Sequence, residues 1–187
     1  MKRTDEQLLL DVARGDKSAF REIYQNYSAP LYRLVKRLVG VKTSDYDEVF
    51  QEIMLRIWKN APLFDPNKGR AKSWIYLVAT RHCLNWLETK RSRCMTRETE
   101  LHETFPDSDK PGPEEAAFRS EEAESAVRLL DCLPEDLKLA VSLRHLDDLS
   151  IEEIAGITQV PEGTVKSRIF YGLKKLISFF FKENSHE

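Results

Sequence analysis

The chain is poor in residues that staple or interrupt a fold, with three cysteines, seven glycines and eight prolines in 187 residues. Cys83, Cys94 and Cys132 are odd in number and widely spaced, which excludes a disulfide framework and a four-ligand zinc site, and they are read as reduced thiols. His82 beside Cys83 does not rescue a metal reading, because adjacent helical residues point about 100° apart. No stretch approaches the roughly 20 apolar residues of a bilayer span, and the opening MKRTDEQLLL lacks the apolar run of a secretory signal. The chain is therefore expected in the cytoplasm, without membrane insertion. Only Gly15 and Gly40 interrupt the first 60 residues, and no run alternates with β-branched enrichment, so strands are not expected. There is no glycine-rich phosphate loop, no cluster of metal ligands, no nucleophile with a base partner and no internal repeat. An enzyme is the least favoured reading, and neither metal nor cofactor is expected.

What is present is charge, and it is segregated. The formal net charge is −2. From Pro66 to Arg97, however, Lys68, Arg70, Lys72, Arg81, Lys90, Arg91, Arg93 and Arg97 face the single acid Glu88. From Glu98 to Glu124 the balance inverts, with ten acids against Lys110 and Arg119. Within that stretch, FPDSDKPGPEE has too little apolar surface to offset ordering entropy and reads as a linker. The expected organisation is an N-terminal domain over 1–97, an acidic linker over 98–114 and a C-terminal domain over 115–187. The fold class is all-α, two small helical domains, with helices predicted over 5–14, 17–39, 44–60, 71–93, 115–132, 134–146, 151–157 and 161–181.

The most specific local pattern is SIEEIAGITQVPEGTVKSRIFYGLKKL. Ser150 and Glu153 have the spacing of a capping box, which starts a helix at Ile151 with Ile151, Ile154 and Ala155 on one face. Ile157 and Val160 follow where a short turn carries the chain inward, and Pro161 suits the first turn of a second helix. There Val165, Ile169, Leu173 and Leu176 predict a buried stripe. The opposite side carries Glu162, Thr164, Lys166, Ser167, Arg168, Phe170, Tyr171 and Lys174. Lys and Arg can pair with guanine edges or phosphates, Ser donates to either, and an aromatic ring can meet a thymine methyl. A helical hairpin with a solvated basic face remains the plain alternative. PEDLKLAVSLRHL, with Leu137, Ala140 and Val141, is expected to brace the pair.

The run from Leu133 through GTVKSR to Leu176 closely resembles region 4 of extracytoplasmic-function sigma factors. The resemblance implies a helix-turn-helix that reads the −35 promoter element through the outer residues just named. Upstream, DVARGDKSAFREIYQNYSAPLYRLVKRLVG and DYDEVFQEIMLRIWKN resemble sigma region 2. Read physically, the second segment is an amphipathic helix that buries Val49, Phe50, Ile53, Met54, Ile57 and Trp58 and leaves Glu48, Gln51, Glu52, Leu55 and Arg56 outside. By the resemblance this outer face grips core RNA polymerase at the clamp coiled coil of the β′ subunit. By itself Leu55 is an ordinary surface leucine.

LFDPNKGRAKSWIYLVATRHCLNWLETKRSR is similar to the family segment that separates the strands at the −10 element and holds one of them. Basic residues attract phosphates and aromatic rings offer stacking surfaces to unpaired bases, which suits that task. The capture pocket is expected in the loop from Phe64 to Ser73 and the turns after it, with Lys68, Arg70 and Lys72 there and Arg81, His82, Asn85, Trp86, Lys90 and Arg93 turned toward DNA. Core packing is the expected role of Trp74, Ile75, Leu77 and Val78. Many relatives carry asparagine where this chain has Arg81, which bears on base preference at the −10 element because reach and charge differ.

The resemblance implies three partners: core RNA polymerase, promoter DNA in double- and single-stranded form, and an anti-sigma protein, soluble or membrane-anchored, that holds the chain compact. The acidic linker threads polymerase channels in relatives; here it reads equally as a nucleic-acid mimic or a tether. Phe179, Phe180 and Phe181 are expected to pack on their own domain. Two other functions are consistent with parts of the pattern: a dimeric helix-turn-helix activator, and a helical protein-interaction module with a solvated basic face.

Overall fold

A computed structural model describes residues 3–40, 45–97 and 129–183, with side chains described up to Ser92 in the second of these spans and Phe181 in the third. The expected linker over 98–114, the predicted helix over 115–132 apart from its last residues, and the side chains of Arg93 and Cys94 lie outside what is described. Elsewhere the predicted helices form within a few residues of their expected limits, and the described residues contain no strand.

α1 (Asp5–Ala13) opens with a capping box between Thr4 and Gln7. α2 (Lys17–Val39) starts at Asp16, whose carboxylate accepts from the amides of Ser18 and Ala19 at 2.7 and 3.2 Å. These bonds hold the Asp16 carboxyl below its ordinary value, at about 2, the Ser18 side chain first and the two amides after it. Between these helices Gly15 adopts φ 89°, a conformation that costs glycine little. α3 (Tyr46–Asn60) runs into a 3-10 turn at Ala61–Leu63, and α4 (Ala71–Arg97) completes the N-terminal bundle. The bundle core is Leu8, Leu9, Ile23, Leu31, Leu34, Ile53, Ile57 and Ile75, all essentially without exposure.

Residues 129–131 are helical. α5 (Glu135–His145), α6 (Ile151–Thr158) and α7 (Glu162–Glu183) then form the C-terminal unit. The predicted capping box at α6 is present: Ser150 Oγ accepts from the Glu153 amide at 3.1 Å, and Glu153 Oε2 accepts from the Ser150 amide at 2.8 Å. Gln159 makes the turn between α6 and α7 in a left-handed conformation at φ 56°.

One stripe differs from expectation. Leu173 is 36% exposed, and Gly172 is buried in its place. From Val165, seven residues advance a helix almost whole turns whereas eight overshoot by about 80°, so the packing line is Val165, Ile169, Gly172 and Leu176. A Cβ at Gly172 would stand 2.5 Å from Val141 Cγ2 on α5, and the absence of a side chain there is what lets α5 and α7 approach. Of the terminal phenylalanines, Phe179 is half-buried while Phe180 and Phe181 are exposed and meet edge to face, centroids 6.1 Å apart. Of the three phenylalanines expected to pack on their own unit, Phe179 is the least exposed.

The two halves are in contact. α6 packs on α4, and α5 touches α2. Leu139, Leu143, Leu149, Ile154, Ile157 and Val165 join the same apolar cluster as the N-terminal core, while Leu130, Leu133 and Val141 form a separate smaller one.

Candidate nucleic-acid interface

Three surfaces carry the residues singled out by the sequence. On α3, Val49, Phe50, Ile53, Met54 and Ile57 are buried and Trp58 is half-buried, edge-on to Phe20. Glu48, Gln51, Glu52, Leu55 and Arg56 are exposed on the other side, with Leu55 54% exposed. Glu52 and Arg56 approach only to 3.8 Å, which leaves an apolar side chain framed by charges.

The second surface is α4 and the loop before it. Lys68, Arg70, Arg81 and Asn85 are exposed, and Lys72, Trp86 and Lys90 are half-buried. Lys90 stands 4.5 Å above the Trp86 ring and pairs with Asp45 at 2.8 Å. Two expected residues point elsewhere. Phe64 is buried with its ring against Trp74, centroids 5.8 Å apart, and offers no free stacking face. His82 is also buried and faces α3, its Nε2 3.3 Å from Glu52 Oε2. Burial lowers its pKa, with Arg56 adding to the effect and Glu52 opposing it, so the ring is neutral near pH 7. The sequence pattern placed both on the DNA side, but the Phe64–Trp74 contact and the packing of α3 on α4 turn them inward. Ile75 is buried and Trp74, Leu77 and Val78 are half-buried, as core packing requires. Cys83 is fully buried, and burial pushes its thiol up to about 12, which removes thiolate reactivity.

The third surface is the outer side of α7. Glu162, Lys166, Ser167, Phe170, Tyr171 and Lys174 are exposed and Thr164 is half-buried. Phe170 and Tyr171 contact edge to face, centroids 5.4 Å apart. Arg168 departs from the group: its Nε is 3.2 Å from Asp136 Oδ2, which anchors α7 to α5.

Sequence reasoning missed a set of residues where the halves meet. Arg37 of α2 and Asp147 after α5 form an ion pair at 2.5 Å, and Tyr76 of α4 donates to the same carboxylate at 3.0 Å. Burial drives the Asp147 pKa up, while Arg37 and Tyr76 pull it back. Around this pair, Ser73 donates to Glu153, Arg70 lies 3.6 Å from Glu153, Lys72 donates to the Asp148 carbonyl at 3.5 Å, and Arg91 pairs with Glu135. A cleft of about 610 Å³ lies between the loop at Phe64–Arg70 with Ser73, Trp74 and Leu77 on one side and Ser150, Glu152, Glu153 and Ile157 on the other. The only sequence signal was Asp147-Asp148 beside a helix end, which also describes an ordinary exposed turn.

Residues 23–93 match the family described as Sigma-70 region 2, and residues 123–176 match Sigma-70, region 4. The chain is 32% identical over 173 residues to the ECF RNA polymerase sigma-E factor of Escherichia coli strain K12, covering 89% of each. With the protein of the same description from Haemophilus influenzae, identity is 33% over 174 residues, covering 89% of this chain and 90% of the relative. In fold it is similar to CnrH in complex with the cytosolic domain of CnrY, with TM-score 0.68, 18% identity, and 95% and 97% of the two chains covered. The sigma factor RpoE in complex with the anti-sigma factor NepR from Bartonella quintana gives TM-score 0.66 and 17% identity, covering 86% and 97%.

Proposed function

The chain belongs to the extracytoplasmic-function family of RNA polymerase sigma factors, and from that premise we infer how its three surfaces divide the work of starting transcription. The outer side of α7 reads intact duplex at the −35 element, with Lys166, Ser167, Phe170 and Tyr171 at the bases and Lys174 at the backbone. The basic side of α4, with Lys68, Arg70, Lys72, Arg81, Asn85, Trp86, Lys90 and Arg93, holds one strand of the −10 element. The α3 patch around Leu55 docks on the clamp coiled coil of core polymerase. No nucleotide hydrolysis enters this scheme: affinity for the unpaired strand offsets the stacking lost on opening. No described helix is long and apolar enough to cross a membrane, which is consistent with work on cytoplasmic DNA.

The observation that supports this reading most directly is a helix-turn-helix with an outward polar and aromatic face in the same chain as a basic, aromatic-bearing helix. The first suits duplex and the second suits a single strand. Control by a protein inhibitor of the anti-sigma class belongs to the same reading, because CnrY and NepR are bound to proteins of this fold.

Transcription from a randomised promoter library with core polymerase tests the residue roles. Lys166→Ala is expected to lose activity selectively, by about 1–3 kcal/mol at promoters with the matching upstream base and little elsewhere. Equal loss at every promoter would remove Lys166 from the base-reading set.

A further inference from the structure

The loop at residues 64–70 and the first turn of α4 are held by a helix that carries none of the residues assigned to DNA. α1 packs on the 3-10 turn at Ala61–Leu63, where that loop begins. Where the loop ends, Glu6 of α1 reaches across 65 residues of sequence, and its Oε1 accepts from the Ala71 amide at 3.1 Å. One helix thus brackets the loop at both ends.

The bond at Ala71 answers a need of α4. The Arg70 carbonyl accepts from the Trp74 amide at 3.1 Å, which places Arg70 at the cap and Ala71 in the first turn, among the amides that have no partner within a helix. A cap side chain usually accepts from one of these amides, but a guanidinium has only donors and cannot. Water cannot stand in, because Ala71 has no exposed surface. A buried amide without an acceptor is costly, so the cap has to come from another part of the fold, and Glu6 supplies it.

The Glu6 carboxylate is held where both helices begin. Its own amide, in the first turn of α1, donates to it as well, so two helix N-termini converge on one negative charge and each favours it. The bond from Ala71 first, and then that from its own amide, keep its pKa below the ordinary value against the opposing effect of burial. α1 is itself fixed: Thr4 and Gln7 form its capping box, Tyr27 of α2 donates to Asp5 at 2.5 Å, and Leu8 and Leu9 are buried. Within the loop, the Asp65 carboxylate accepts from the Asn67 amide and the Asp65 carbonyl from the Lys68 amide, both at 3.0 Å. These bonds shape the loop locally. Its place on the bundle is set at its ends, by buried Phe64 and by Ala71.

We propose that Glu6 is a positioning residue for strand capture: by capping α4 from α1 it fixes the direction of the loop at residues 64–70 and so presents Lys68 and Arg70 to the unpaired strand, without touching DNA itself. The proposal rests on the assignment of that strand to α4 and its leading loop.

Three substitutions separate reach from charge. Glu6→Gln keeps an acceptor of the same length, Glu6→Asp keeps the charge in the first turn of α1 but is one methylene shorter, and Glu6→Ala removes both. Hydrogen–deuterium exchange is read on each free chain. Anisotropy of a labelled single-stranded oligonucleotide pool of random sequence is read on each chain assembled with core polymerase, beside a titration of chain against core. Glu6→Ala and Glu6→Asp are expected to exchange faster over residues 64–72 with α3 unchanged, and to bind the pool about three- to thirtyfold more weakly, the range spanned by loss of a helix cap. Their affinity for core polymerase is expected to match wild type, and Glu6→Gln to match it in all three readouts. Wild-type exchange and strand affinity in both Glu6→Asp and Glu6→Ala would overturn the proposal. So would a loss of core affinity running parallel to the loss of strand affinity, which is what a damaged bundle produces. A wild-type complex with no more affinity for the pool than core polymerase alone would remove the strand assignment and this proposal with it, whereas wild-type strand affinity left unchanged by Glu6→Asp and Glu6→Ala removes the proposal alone.

Discussion

α3 and α4 are neighbouring helices of one bundle, yet they differ in how they use their polar residues. Among the described residues α3 packs mainly against its own bundle, and each residue expected outside is outside. α4 is gripped from both sides, by α2 and α3 on one and α6 on the other. Its polar residues therefore split: Arg81 and Asn85 face solvent, His82 faces α3, and Lys72, Ser73 and Tyr76 face the C-terminal unit. A helical period tells an apolar side from a polar one, but an interface built from ion pairs and hydroxyls looks like a solvated face until its partner is in place.

The sharpest way to break that comparison is at Leu55. Leu55→Asp is expected to weaken binding to core polymerase about 30-fold or more, as loss of a central apolar anchor does, while changing unfolding free energy by less than about 0.5 kcal/mol. Binding titration and denaturant melts on one preparation would show it; unchanged affinity would reduce the α3 patch to a solvated face. Next in size is Gly172→Val, expected to destabilise the C-terminal unit by about 1–3 kcal/mol through overpacking against Val141. Leu173→Ala, one residue along, should be nearly silent in the same denaturant series, and the reverse order would restore the stripe first expected. The smallest effect concerns Asp16. Its pKa is depressed in the folded chain, so its contribution to stability is complete above the ordinary carboxylate value near about 4 and is lost as pH falls toward about 2. Melting temperature against pH should therefore fall more gently in Asp16→Asn than in wild type across that window.

The sequence carried those features whose physics is local. The Ser150–Glu153 box and the buried side of α3 need only neighbours within a turn or two, and both were readable. Leu173 was misplaced because leucine outranks glycine in any hydrophobic pattern, although at a close helix crossing the residue without a side chain is the one that fits. Arg37 and Asp147, 110 residues apart, gave no signal of their pairing, since complementary charge at that separation is visible only once the halves meet. Glu153 was identified for its cap and not for its contact with Ser73, because one local bond already accounted for it. The boundaries expected at 97 and 114 fall at the edge of or beyond the described residues.

Permanganate reactivity of a promoter fragment selected from the randomised library probes the central claim most directly, because it reports unpaired thymines. With the chain and core polymerase together and no nucleoside triphosphate, reactivity is expected over a short block at the −10 element, and it should vanish when either component is omitted. Protection of symmetric half-sites by the chain alone, with every thymine still paired after polymerase is added, would contradict the account.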